Sequence, residues 1–192
     1  MQRHPPSAAA VFLDRDGTII EDRGHLRNPA EVVLFPETIP ALMLLKDFFH
    51  LFIVTHQPGI AKGILSREEV EDVNRHLVDV LGQQGIPITA VYYCPHQREE
   101  QCACIKPNAF FLEKAACDYG ILLGESYVIG DHPHDVELAE RAGAVGLYVL
   151  TGHGMKHRHE LRVPCVVVSG ILEAAQWILR DRSRRFSAPI TS

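Results

Sequence analysis

Short apolar runs recur along this chain, and a stretch with helical spacing follows nearly every one. Val11-Phe12-Leu13, Leu51 to Val54, Ile88 to Tyr93, Tyr127-Val128-Ile129, Val145 to Leu150 and Val163 to Val168 are too short for helices and are read as buried strands. Between them, Ile39, Leu42, Leu45 and Phe49 keep a helical period. Ser66-x-x-Glu69 is a capping box, and Val70, Val73, Leu77 and Val80 continue its face to Gly82. Asn108 to Tyr119, Val136 to Ala142 and Ile171 to Leu179 complete the helices. Strand and helix in alternation imply a parallel sheet covered on both faces. The expectation is a doubly wound α/β fold in a single domain over residues 1–192, with 1–8 and 182–192 as flexible tails. Ile19 to Pro36, broken by Gly24 and Pro29, reads as a loop or small flap over the carboxyl end of the first strand.

A chain of 192 residues can bury about 70% of its unfolded surface, enough for one core. The net charge of −5 and sparse aromatics give no footprint for nucleic acid. No apolar run is long enough to span a bilayer. Only Ala8 to Leu13 follow Arg3 and His4 before Asp14, too little for a secretory core, so a cytoplasmic protein is expected. The five cysteines are odd in number, which argues against a disulfide framework and for a metal. Cys117 and Cys165 fall in apolar patterns and read as core fillers.

The first strand stops abruptly in Asp14-Arg15-Asp16-Gly17-Thr18. In a parallel sheet the carboxyl ends of strands are where ligands bind, and alternation puts Asp14 and Asp16 on one side. Two carboxylates so close ionise together only beside a cation, and oxygen ligands suit Mg2+. A strand-end Asp can also be a nucleophile; the plain alternative is an Asp-Gly surface turn. Thr55, Lys106, and Asp131 with Asp135 also fall at strand ends or just beyond. These types fit phosphoryl transfer. Asp14 would attack, Thr55 and Lys106 would hold phosphoryl oxygens, and Asp131 would complete the Mg2+ site. Asp16 would protonate the leaving oxygen and then activate water. Asp135 would support Lys106 or cap the next helix.

Cys94-x-His96-x5-Cys102-x-Cys104 offers three thiolates and one imidazole, a closed set for a structural tetrahedral Zn2+. The 94–104 loop, braced by the ion, would deliver Lys106. His153, His157 and His159 read as members of a solvated loop, and His25 as a flap residue near the substrate.

In this order, Asp14 to Thr18, Thr55, Lys106-Pro107 and Gly130-Asp131-x-x-x-Asp135 resemble the motifs of the haloacid-dehalogenase (HAD) superfamily of phosphatases. The resemblance implies a Rossmann-like fold without a large cap domain and a phospho-aspartyl intermediate on Asp14. It further implies Mg2+ held by Asp14, the Asp16 carbonyl and Asp131. The zinc loop and Gln57-Pro58-Gly59-Ile60-Ala61-Lys62-Gly63 are similar to the branch that holds the heptose-bisphosphate and histidinol-phosphate phosphatases. That places His56 and Gln57 beside the phosphate and implies a small phosphorylated sugar as substrate, in lipopolysaccharide precursor synthesis, for a monomeric enzyme. Histidinol phosphate or another small phosphorylated metabolite is the alternative substrate, and a zinc-braced binding module without turnover the alternative class. Three positions depart from the pattern: His56 stands where Asn is usual after the threonine, Ile105 where Arg is usual before Lys-Pro, and His132 where a base is usual after Asp131.

Overall fold

The computed structural model describes residues 8–187. Its centre is β1 (Ala10–Leu13), whose four residues are all buried. Around it lie β2 (His50–His56), β3 (Ala90–Cys94), β4 (Tyr127–Gly130), β5 (Val145–Val149) and β6 (Val166–Val168). The order across the sheet is β3-β2-β1-β4-β5-β6, and every pairing is parallel. The chain runs outward on one side of β1 and then returns to build the other. The carboxyl end of β1 is therefore a topological switch point, where a crevice opens.

Alternation along β1 assigns its side chains to two layers. Val11 and Leu13 pack with α1 (Thr38–Leu45), α2 (Arg67–Gln83) and α6 (Ile171–Ser187). Ala10 and Phe12 face the other layer, with α3 (Phe110–Tyr119) and α4 (Pro133–Ala142). The helix α5 (Gly154–His157) is a single turn after β5. The Ser66–Glu69 capping box forms as expected, with reciprocal bonds of 3.0 and 2.7 Å. The result is a doubly wound sheet, and no cap domain is present among the described residues.

Three sequence expectations need correction. α6 continues to Ser187, so Arg182 to Ser187 is helical; the expected tails at 1–7 and 188–192 lie outside the described residues. Arg185 explains part of the extension, since it pairs with Asp181 at 2.7 Å and donates to the Gly124 carbonyl at 3.1 Å. Cys117 is exposed and Cys165 only half-buried, so neither is a core filler. The 19–36 segment is more than a flap: Ile19, Ile20 and Leu26 are buried in the larger core. No helix among the described residues is long and apolar enough to cross a membrane.

Candidate active site

Asp14 begins where β1 stops, and its backbone N–H still donates to the Ile129 carbonyl at 2.9 Å. The strand ends of β1, β2 and β4 thus open into one cleft of about 240 Å3. Asp14, Asp16, Thr55, His56, Lys106, Asp131 and Asp135 all line it. Glycine makes this convergence possible at Gly17, which has φ +82°, because a Cβ there would collide with the Asp131 carboxylate.

Lys106 is the bridge. Its Nζ donates to Asp14 Oδ1 at 2.6 Å and to Asp135 Oδ1 at 2.7 Å. Burial opposes the ammonium charge, yet the two carboxylates outweigh it and push the Lys106 pKa up. Both oxygens of Asp135 are engaged, because its Oδ2 accepts the His132 backbone N–H at 3.1 Å as the helix-capping contact of α4. Asp131 accepts the His153 backbone N–H at 2.7 Å. Burial raises Asp14 to about 7, with Lys106 offsetting part of the cost and Asp135 adding to it. Burial, then repulsion from Asp14 and Asp135, raises Asp131 to about 8.

With all three carboxylates ionised, one ammonium leaves this buried group two negative charges in excess. Oxygens of Asp14, Asp131 and Asp135 lie within 4.8 Å of one another. Asp14 accepts through Oδ1 and Asp131 through Oδ2, so each keeps its other oxygen for a ligand, whereas both Asp135 oxygens are engaged. An all-oxygen, doubly negative set of this kind fits a hard divalent cation.

Asp16 stands apart from that cluster. Arg15, completely buried, grips it through Nε at 3.0 Å and Nη2 at 3.1 Å. The third guanidinium nitrogen donates to Asn74 Oδ1 on α2 at 2.7 Å. Thr55 Oγ1 donates to Asp16 Oδ2 at 3.3 Å, and Gln57 Nε2 donates to the same oxygen at 2.9 Å. Gln57 is only 5% exposed and lies behind Asp16 rather than lining the cleft. Arg15 and Asn74 carried no signal of their own in the sequence, beyond an arginine set between two motif aspartates.

The zinc-loop residues converge. Cys94, Cys102 and Cys104 sulfurs are 3.2–3.5 Å apart, and His96 Nδ1 is 3.7 and 3.4 Å from Cys94 and Cys104. All five cysteines are free thiols. A tetrahedron with Zn–S of about 2.3 Å and Zn–N of about 2.0 Å has edges of about 3.5–3.8 Å, so the set fits a closed site. His56, at the end of β2, holds this loop: its Nε2 lies 2.7 Å from the His96 carbonyl, and burial pushes its pKa down. Ile105 is 6% exposed and packs inward.

The remaining histidines are more ordered than a solvated loop. His132 and His134 stack with ring centres 4.5 Å apart, and His157 lies 5.0 Å from His132. His153 lines the cleft and pairs with Asp22 at 2.9 Å. His159 is exposed. His25 lies beside Gly59 and is not among the cleft-lining residues.

Comparison with known proteins agrees with this geometry. The family model described as HAD-hydrolase-like matches residues 103–174. The D-glycero-D-manno-heptose-1,7-bisphosphate 7-phosphatase of Chlorobaculum tepidum is 34% identical over 161 residues, 77% of this chain and 81% of that protein. The histidine biosynthesis bifunctional protein HisB of Actinobacillus pleuropneumoniae is 32% identical over 140 residues, 71% of this chain but 39% of that protein. Among solved structures, the D,D-heptose 1,7-bisphosphate phosphatase of B. bronchiseptica, complexed with magnesium and phosphate, superposes with a TM-score of 0.83. It is 26% identical, and the match covers 90% of this chain and 99% of that one. The chain therefore belongs to the HAD-like hydrolases, as one of their phosphatases.

Proposed function

We propose that this phosphatase removes the 7-phosphate of D-glycero-D-manno-heptose 1,7-bisphosphate by way of an aspartyl-phosphate on Asp14. The observation that carries the chemistry is the buried Asp14–Lys106–Asp135 chain with Asp131 beside it. The substrate follows from the heptose-bisphosphate phosphatases it resembles. An Asp14 oxygen attacks phosphorus, the bond from phosphorus to the sugar oxygen breaks, and Asp16 gives that oxygen its proton. Water then attacks the same phosphorus, Asp16 takes its proton, and the bond to Asp14 breaks to release inorganic phosphate. Lys106 and Thr55 offer donors to the phosphoryl oxygens. Asp14 and Asp131 would hold Mg2+, with the Asp16 carbonyl as a third ligand; bound there, the ion neutralises charge on the phosphoryl group. Zn2+ on Cys94, His96, Cys102 and Cys104 would brace the loop that carries Lys106, a structural role.

The test is phosphate release from the heptose bisphosphate, from histidinol phosphate and from a generic aryl phosphate, with Mg2+ present. A kcat/KM on the order of 10⁵ M⁻¹s⁻¹ or above for the heptose supports the assignment, and Asp14→Asn should abolish release from all three. Preference for histidinol phosphate would favour the activity suggested by the HisB likeness. Undiminished release by Asp14→Asn would refute the nucleophile.

A further inference from the structure

A second cavity of about 280 Å3 adjoins the catalytic cleft and shares His56, Pro58 and Arg98 with it. Lys62, Gln97 and Glu99 complete its wall. Two cations and one acid give this outer chamber a net positive charge, in contrast to the acid-rich cleft inside. Lys62 is exposed; its backbone N–H donates to the Pro58 carbonyl at 3.1 Å, and its side chain makes no hydrogen bond or ion pair among the described residues. Arg98 likewise has no carboxylate partner among the described residues.

Arg98 nevertheless has a defined place. It sits in the short turn Arg98–Glu100 of the zinc loop. Its Nη1 and Nη2 lie 3.3 and 3.2 Å from the two ring nitrogens of His134. The terminal end of the guanidinium thus meets both nitrogens of one imidazole. His134 in turn stacks on His132 at an interplanar angle of 6°. A chain of contacts, Arg98–His134–His132, thus runs from the zinc loop to the N-terminus of α4. Contact through the terminal end leaves the side edge of the guanidinium, Nε with one Nη, whose parallel N–H donors match a phosphate. Among the described residues Nη1 makes only one further contact, 3.5 Å to the Lys106 carbonyl.

We propose that Arg98, positioned by the His134–His132 stack and assisted by Lys62, forms a second anion subsite that grips the distal phosphate of a bisphosphorylated sugar. This deepens the sugar-bisphosphate reading above and rests on it. A sugar phosphate entering the inner cleft with one phosphate at Asp14 would extend its other end into the outer chamber. Arg98 and Lys62 are then specificity residues, and His134 is a positioning residue.

The subsite is read as a ratio: the inhibition constant of a sugar monophosphate over that of the matching bisphosphate, each competing against hydrolysis of an aryl phosphate. The pairs are heptose 7-phosphate with heptose 1,7-bisphosphate, and fructose 6-phosphate with fructose 1,6-bisphosphate. Because both members of a ratio come from one protein, a general loss of activity cancels. The native enzyme should favour the bisphosphates by about tenfold or more, the usual worth of a charge-assisted contact. Arg98→Ala should bring the ratio close to one, Arg98→Lys should lower it partly because the fork is lost, and Lys62→Ala should lower it less. His134→Ala should reduce it while His134→Gln, which keeps a side-chain acceptor for the guanidinium, should preserve more of it. A native ratio near one, or a ratio that survives Arg98→Ala, overturns the subsite. Heptose turnover with no effect of Arg98→Ala sinks the subsite and leaves the substrate standing. A native preference for fructose bisphosphate without heptose turnover, lost in Arg98→Ala, supports the subsite and removes the heptose assignment.

Discussion

The buried carboxylates make a quantitative claim about pH. In the metal-free protein Asp14 and Asp131 stand at about 7 and about 8, against an ordinary value of 3.8. The folded state therefore keeps protons that the unfolded chain has already released, and stability must fall as pH rises through the folded values. Histidines oppose this at lower pH: burial depresses His56, His132 and His134, the last to about 4. Their contribution rises with pH through the unfolded value of 6.5 and is nearly complete about one unit above it. Between pH of about 6.5 and about 8, a group at about 7 loses roughly 0.8 kcal/mol and one at about 8 roughly 1.7 kcal/mol. Each value already contains repulsion from the other carboxylate, so about 2 kcal/mol is expected for the pair. Each depressed histidine returns up to about 0.4 kcal/mol in the same window, because its unfolded form is still half protonated at about 6.5, so the net loss is about 1 kcal/mol. Urea denaturation across this window, on protein dialysed free of Mg2+ without a chelator that would also strip zinc, gives the number. Saturating Mg2+ should restore the loss at the upper end and do much less below pH of about 6, where protons compete for the same oxygens. Flat or rising metal-free stability over the window, or equal stabilisation by Mg2+ at both ends, would refute the account.

Two further outcomes follow from the site. Metal analysis of the purified protein should find about one zinc per chain, and Cys102→Ser should lose it along with stability and activity, because Lys106 is four residues on. Less than about half an equivalent, with no loss in purification, would count against a tight site. Asp16→Asn should lower kcat by about 10² to 10⁴ and also destabilise the fold by about 3–5 kcal/mol, since it leaves the buried Arg15 guanidinium without its charge partner. Thermal unfolding separates this variant from Asp14→Asn, which relieves repulsion in the metal-free cluster and should cost little or even stabilise. Equal stability of the two would refute the role given to Arg15.

What was legible in the sequence divides along a physical line. The apolar runs of β1, β2, β4 and β5 announce themselves because strands buried on both faces must be continuously apolar. Asp14, Thr55, Lys106 and Asp131 were legible because each stands at or just beyond such a run, and parallel topology gathers strand ends without further information. Periodicity also exposes one error. Buried positions of α3 are Leu112 and Ala115, and Cys117 sits about 200° around the helix from Ala115, hence on the solvent side. The C-terminal helix was cut short because its last two turns read as basic and polar. There, Arg182 lies over the Phe48 ring at 4.9 Å and Arg185 over Tyr127 at 5.7 Å, an aromatic support that no local pattern reveals.

Contacts between distant segments were the part the sequence could not display, and they reinterpret the three departures from the family pattern. Arg15 reaches Asn74 across 59 positions, and Arg98 reaches His134 across 36. Taken singly, His56, Ile105 and His132 look like losses beside the phosphate. In three dimensions His56 ties β2 to the carbonyl of a zinc-site residue, Ile105 packs inward, and His132 supports the ring whose nitrogens Arg98 meets. A side chain at position 105 that packs inward offers no guanidinium to the cleft. The stack at α4 presents one from the opposite arm of the zinc loop instead. The arrangement predicts coupling: combined replacement of Arg98 and His134 by alanine should reduce bisphosphate preference no further than Arg98→Ala alone, since the ring acts only through the guanidinium. Additive losses in that double-mutant cycle would show that His134 meets the substrate itself, and the stack would then be a second binding wall rather than a support.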